Sequence, residues 1–271
     1  MHLNLSHDTL ICNGKIKITG SKSETNRLLF LQSLFPDFKI QNKSNSDDSF
    51  VMQAALKSTS DFIDINHAGT AMRFLTSYFS QLEGREVILT GSQRMQQRPI
   101  KILVDALRSL GASIEYDKKQ GYPPLRIKGK KLDGGTISLP ADISSQYISS
   151  LIMLGPVLKI GIELNLEGTI TSMPYINMTL GLLKRLGIKT EFKGQRILVK
   201  YTPKVKNTIQ VVESDWSSAS YFFSIAALSD KAKIYLSNYK SNSLQGDSIL
   251  RIIYKQLGVN SHFEGNNLIL K

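Results

Sequence analysis

A Leu-Gly pair recurs at residues 110, 186 and 257, each time at the same point of the same local pattern. In 106–116, 182–192 and 253–263, apolar residues at helical spacing lead up to the pair, and an alternating apolar-polar stretch follows it. Gly111, Gly187 and Gly258 then stand just past a helix end, where the backbone turns left-handed and a residue without Cβ is favoured. A second short strand is expected after each copy (125–128, 197–200, 268–271), and a strand before each helix (86–90, 162–166, 233–236). Spacings of 76 and 71 residues are too long for a solenoid and suit a domain built from copies of one βαβαββ unit, hence an α/β or α+β fold. A weaker copy, with strand 38–41 and helix 49–57, precedes the three.

A further helix is expected to open each unit, over 23–35, 70–82, 144–154 and 217–228. Each begins with Ser or Thr and continues with apolar residues at helical spacing. Such hydroxyls are good N-caps, and most capped helices bind nothing. Four starts at equivalent points of a repeat carry more meaning, because helix N-termini offer unpaired N–H groups and partial positive charge. Several converging on one cavity would make an anion site.

Composition narrows the ligand. The 271 residues include 34 Lys and Arg against 22 Asp and Glu, a formal charge of +12. The excess is spread along the chain, without a basic block or a helix-turn-helix, zinc-finger or RNA-binding signature, so it points to small anions rather than nucleic acid. Four scattered histidines (His2, His7, His67, His262) show no metal-ligand spacing. Cys12 is the single cysteine, which rules out an internal disulfide and fits a cytoplasmic protein. No apolar run has the length of a membrane span, and the N-terminus is read as lacking a signal peptide.

The candidate binding motifs sit where helices begin. Gly20 to Arg27 forms a Gly-Ser turn into a helix, with Lys22 and Ser23 at its start and Arg27 one turn on; a capped surface helix with solvated cations is the competing reading. Asn45 to Asp48 puts two carboxylates at a helix start, which can equally be dipole partners. In His67 to Arg73, Gly69 allows close backbone approach and Thr70 is expected to cap the helix. In Arg94 to Ile100, Pro99 is placed like a first helical residue, which would set the planar fork of Arg98 at a helix mouth. Ser144, Ser145 and Gln146 open an otherwise apolar helix. Thr171 to Ile176, Asp215 to Tyr221 and Asn242 to Asp247 complete the set. Neither a phosphate-binding loop ending in Gly-Lys-Ser/Thr nor a Gly-x-Gly-x-x-Gly turn is found.

Taken together and in this order, with Tyr122 to Leu125, the motifs resemble the 3-phosphoshikimate 1-carboxyvinyltransferase (EPSP synthase) family along nearly the whole chain. The resemblance implies an inside-out α/β barrel-like enolpyruvyl transferase fold of repeated βαβαββ units, four of six of which this chain would hold. It divides the chain into a partial first domain (1–14 and 209–271, its C-terminal part missing) and a complete second domain (15–208). It implies transfer of the enolpyruvyl group of phosphoenolpyruvate to the 5-hydroxyl of shikimate 3-phosphate, with release of phosphate through a tetrahedral intermediate. Lys22 and Gln146 would contact both substrates, Lys22 as the catalytic cation. Ser23, Arg27, Ser144, Ser145, Ser172 and Tyr175 would bind shikimate 3-phosphate, and Gly69 and Arg98 phosphoenolpyruvate. No cofactor or metal is implied, nor nucleic acid or membrane, and a monomer is expected.

The family pattern is not followed everywhere. His67 stands where the family often has Asn, and Met173 where a basic residue usually precedes Pro-Tyr. The chain also reads as C-terminally shortened, without the family's proton-handling aspartate, its Lys-Glu pair and the basic residues that complete the phosphoenolpyruvate site. Poor activity and weak glyphosate binding would follow. Two other readings remain at this stage: a protein that binds shikimate 3-phosphate without turnover, and an RNA-acting protein of similar repeat architecture. The related UDP-N-acetylglucosamine enolpyruvyl transferases fit less well, because Lys22 is followed by Ser rather than Asn and Cys12 is not on a catalytic loop.

Overall fold

The structure, a computed structural model, describes residues 9–271; His2 and His7 lie outside the described residues. The chain folds into two compact units, unit 1 from Met1–Ser21 and Val212–Lys271, and unit 2 from Lys22–Val211.

The chain starts in unit 1 with β1 (Ile11–Ile16). It then builds unit 2 from α1 (Lys22–Leu34), β2 (Lys39–Gln41), α2 (Asp47–Lys57), β3 (Phe62–Asp64), α3 (Gly69–Gln81) and β4 (Glu86–Thr90). These are followed by α4 (Lys101–Ser109), β5 (Ser113–Tyr116), β6 (Leu125–Lys128), β7 (Gly135–Pro140) and α5 (Ser145–Leu154). Then come β8 (Ile162–Glu167), α6 (Met173–Arg185), β9 (Thr190–Lys193), β10 (Arg196–Val199) and β11 (Ile209–Val211). The rest of unit 1 is α7 (Trp216–Ala227), β12 (Lys231–Ser237), α8 (Leu250–Lys255), β13 (Ser261–Glu264) and β14 (Asn267–Leu270).

The sequence repeat becomes a repeated sheet. Three four-stranded sheets have the orders β3-β4-β6-β5, β7-β8-β10-β9 and β1-β12-β14-β13. In each, the first two strands are parallel and the last two form an antiparallel hairpin added to the second. Gly111, Gly187 and Gly258 all have positive φ, from 84° to 95°, and turn the chain from helix into hairpin as their spacing predicts. The weaker copy supplies β2, which pairs in parallel with β11, and the helix α2.

Unit 2 has its helices inside. α3 and α5 are buried along nearly their whole length, as is the first half of α1. A helix buried on all sides must be apolar or satisfy its polar side chains internally. Here Thr76 donates to the carbonyl of Met72 (2.7 Å), Ser80 to that of Ser77 (2.8 Å), and the Ser77 and Ser150 hydroxyls meet between α3 and α5 (2.9 Å). These small side chains fill little volume, and Phe30, Phe74 and Tyr78 fill the remainder edge-to-face at centroid distances of 6.1 Å.

Unit 1 packs α7 on its sheet through Trp216, Phe223, Leu236, Tyr239 and Leu268. Its buried polar centre is Glu213, which accepts from Trp216 Nε1 (2.8 Å), the Lys240 N–H (2.9 Å) and the Ser243 hydroxyl (2.6 Å). Burial, and then Asp215 and Glu213, push the Tyr239 phenol far above its usual range, so it stays protonated and donates to the Asp215 carbonyl (2.9 Å). On the outer side, Tyr221, Leu228, Ile252 and Leu257 are exposed. No helix among the described residues is long and apolar enough to cross a membrane.

Three expected helix starts differ in detail. α3 begins at Gly69 with Ala68 at its N-cap, so Thr70 lies inside the helix and does not cap it. α4 begins at Lys101 after Ile100, which leaves Pro99 and Arg98 in the preceding loop rather than at the helix mouth. α7 is capped by Asp215, which accepts from the Ser218 N–H (2.7 Å), and not by Ser217. The Ser144 cap of α5 is a hydroxyl as expected, accepting from the Gln146 N–H (3.3 Å).

Phe30 is fully buried between two aromatic partners. Phe30→Ala is expected to destabilise unit 2 by about 3–5 kcal/mol, read as a lower urea midpoint with unchanged slope.

Candidate functional site

Every residue expected from sequence to bind substrate falls in unit 2. The contacts among α1, α3, α5 and α6 show how they come together. Between α3 and α5, Thr70 meets Gln146, Arg73 lies over Tyr147, and Ser77 meets Ser150, so the two helices advance side by side in the same direction. Arg27 of α1 and Thr179 of α6 join Ser149 of α5 less than two turns from each helix start. All four N-termini therefore lie at one end of the unit.

The first half of the site surrounds Arg27, which is only 3% exposed. Its Nε donates to Thr179 Oγ1 (2.8 Å), one Nη to Ser149 Oγ (3.0 Å) and the other to the Ser23 carbonyl (3.0 Å). The guanidinium also faces the rings of Phe74 (5.5 Å) and Tyr175 (5.8 Å). Burial lowers its pKa to about 10, partly offset by Tyr175 and Glu24, and it remains a cation at neutral pH. Lys22, at the exposed start of α1, lies 3.7 Å from Asp48 of the second motif. Both groups keep substantial solvent contact, so this pair is weak and open to exchange for an anionic ligand.

The second half surrounds the start of α3. A Cβ built on Gly69 would collide with Arg98 Nη1, so the guanidinium rests directly against the glycine. The space a Cβ would take is used by Arg98 itself, which is otherwise exposed. Gln146 Nε2 donates to Thr70 Oγ1 (3.1 Å), which ties the start of α5 to that of α3. Ser144 caps α5, Ser145 is buried beside it, and Ser172 holds the N-cap position of α6 without a side-chain cap bond. Tyr175, one turn into α6, is 45% exposed. His67 is exposed just ahead of α3.

The arrangement offers three helix starts with hydroxyls (Ser23, Ser144 with Ser145, Ser172) and two accessible cations (Lys22, Arg98), with Arg27 fixed behind them. The fourth expected start, at Ser217, belongs to unit 1. A cavity of about 740 Å³ also belongs to unit 1, lined by Trp216, Lys240, Arg251, Lys255 and Phe263 among others, and contains none of the expected binding residues. Ser149 and Thr179 were not legible as site residues. Their one signal is spacing, since each lies a turn beyond a motif residue, Ser145 and Tyr175, on the same helix face.

The family model of EPSP synthase (3-phosphoshikimate 1-carboxyvinyltransferase) matches residues 45–270. The chain belongs to the EPSP synthase family. A 3-phosphoshikimate 1-carboxyvinyltransferase of Bacteroides fragilis (strain YCH46) is 48% identical over 259 residues, covering 94% of this chain and 62% of its own length. One of Histophilus somni (strain 2336) is 37% identical over 278 residues, covering 91% and 64%. The chain thus spans less than two thirds of the length of these curated relatives. A solved EPSP synthase from Acinetobacter baumannii superposes with a TM-score of 0.75 at 22% identity, covering 96% of this chain and 63% of that one, and shows the fold. The inside-out arrangement of repeated βαβαββ units is the architecture of this family.

Thr179→Val keeps the side-chain volume but removes the acceptor of the buried Arg27 Nε. It is expected to cost about 1–3 kcal/mol in urea denaturation; a variant as stable as the parent would show that the Arg27 bond is not needed to keep the guanidinium buried.

Proposed function

We propose that unit 2 (Lys22–Val211) is the shikimate 3-phosphate-binding domain of this family, for which the sequence suggests bounds of 15–208. In this reading the chain acts in transfer of the enolpyruvyl group of phosphoenolpyruvate to the 5-hydroxyl of shikimate 3-phosphate, with loss of phosphate. The observation that carries the reading is the gathering of Lys22, Ser23, Arg27, Arg98, Gln146 and Tyr175 at one end of unit 2, where the helices start.

The chemistry suits two polyanions. Ser144, Ser145 and Ser172, at the positively polarised starts of α5 and α6, would bind the phosphate of shikimate 3-phosphate. Arg27, already oriented by Thr179 and Ser149, would meet the substrate without reorganising, and Ser23 and Tyr175 would hold the ring beside it. Arg98 on Gly69 would grip phosphoenolpyruvate, the planar fork matching its carboxylate or phosphate. Lys22 would leave Asp48 to stabilise charge between the two substrates, with Gln146 bridging them. All these residues come from one unit of one chain, which suits a monomer.

A second reading, binding without turnover, is favoured by one fact: the chain spans 62% of the length of its first-named relative. Both readings require unit 2 to bind shikimate 3-phosphate.

Calorimetric titration of shikimate 3-phosphate at low and moderate salt is expected to give about one site per chain that survives moderate salt; a folded chain that binds none overturns both readings. If it binds, release of inorganic phosphate on adding phosphoenolpyruvate separates turnover from binding alone. Arg98→Ala is expected to weaken phosphoenolpyruvate roughly tenfold to a hundredfold and leave shikimate 3-phosphate within about twofold; equal losses would refute the role given to Arg98.

A further inference from the structure

Arg98 lies in a loop, outside any regular element, yet its guanidinium rests against Gly69, where an added Cβ would have to push the end of the Arg98 side chain away. Something must fix that loop. The residue after Arg98 is Pro99, whose carbonyl oxygen is taken by two donors from two helices. Tyr147 of α5 gives it a short hydroxyl bond (2.6 Å), and Arg73 of α3 reaches it with one Nη (3.3 Å).

Arg73 is itself held firmly. It is 4% exposed, its other Nη donates to the Gly69 carbonyl (3.2 Å) and contacts Met95 Sδ (3.5 Å), and its guanidinium lies over the Tyr147 ring (5.8 Å). Its Nε is buried without an acceptor. Burial lowers its pKa, Tyr147 opposes that, and the neighbouring Arg98 lowers it further; no carboxylate is among the groups acting on it. A cation buried against an aromatic ring, backbone oxygens and a second cation is a poor arrangement for stability alone. Its bonds go to the two backbone points that define where Arg98 sits, Gly69 and Pro99.

We propose that Arg73 and Tyr147 are positioning residues for Arg98, clamping the Pro99 carbonyl from two helices so that the Arg98 guanidinium stays on Gly69, ready for an anionic ligand. The Tyr147 hydroxyl is the arm that ties the loop to α5, and Arg73 ties it to α3. This rests on the assignment of Arg98 to phosphoenolpyruvate for its functional consequence, but not for its structural one.

Tyr147→Phe is the clean test, since it removes only the hydroxyl and keeps the ring under Arg73. Amide hydrogen exchange in 92–100 should quicken by about fivefold or more while the buried amides of α3 and α5 keep their rates. With the chain saturated in shikimate 3-phosphate, phosphoenolpyruvate should bind about five- to tenfold more weakly, and the affinity for shikimate 3-phosphate should not change. Arg73→Lys, which keeps the charge but loses the fork, should reproduce the same split. Unchanged exchange in 92–100 overturns the proposal, as does a uniform rise across unit 2 with equal loss of both ligands. If the parent chain binds shikimate 3-phosphate but no phosphoenolpyruvate, the assignment of Arg98 fails, and the exchange rates alone decide the clamp.

Discussion

The guanidinium of Arg27 can stay charged inside unit 2 only because Thr179, Ser149 and the Ser23 carbonyl take up its donors and two aromatic rings face it. Those partners belong to α5, α6 and α1, so one side chain sets the relative position of three helices. An unpaired buried charge would cost several kcal/mol, which makes this register strongly preferred over any slip of one helix along another. Small hydroxyl side chains make such contacts possible. Ser77 and Ser150 close the gap between α3 and α5 where larger residues would hold the helices apart.

From that register the site follows. With the four helix starts level, the N-cap of α5 and the first turn of α3 meet through Gln146 and Thr70. The same turn of α3 presents Gly69 to Arg98. The cations thus divide into buried ones, Arg27 and Arg73, fixed by the helices, and accessible ones, carried by a helix end (Lys22) and a loop (Arg98). A polyanion meeting them would find most of the orientation already made, which is how a fixed site stabilises charge more effectively than water.

Much of this was legible in the chain itself. The Leu-Gly repeat marked the helix-to-hairpin turns because a left-handed residue past a helix end is a local requirement, and glycine meets it locally. The motif order carried the family for a similar reason, since the residue types that suit a helix start are set by local capping and turn requirements. Thr70, Pro99 and Ser217 were read as cap or first-turn residues, and each is displaced by a few positions or plays another part. In those places tertiary bonds outweighed local preference. Thr70 Oγ1 serves Gln146 from 76 residues away, and the Pro99 carbonyl serves Arg73 and Tyr147.

By itself, then, the sequence determined the repeated unit, its strand and helix order and the residue types gathered at helix starts, all of which depend on periodicity and on turns a few residues long. Only the tertiary structure decided which starts lie level, which cations are buried, and which backbone atoms hold the Arg98 loop. Those outcomes depend on contacts between residues 26 to 152 positions apart, and no local pattern encodes the helix register that brings them within hydrogen-bonding distance.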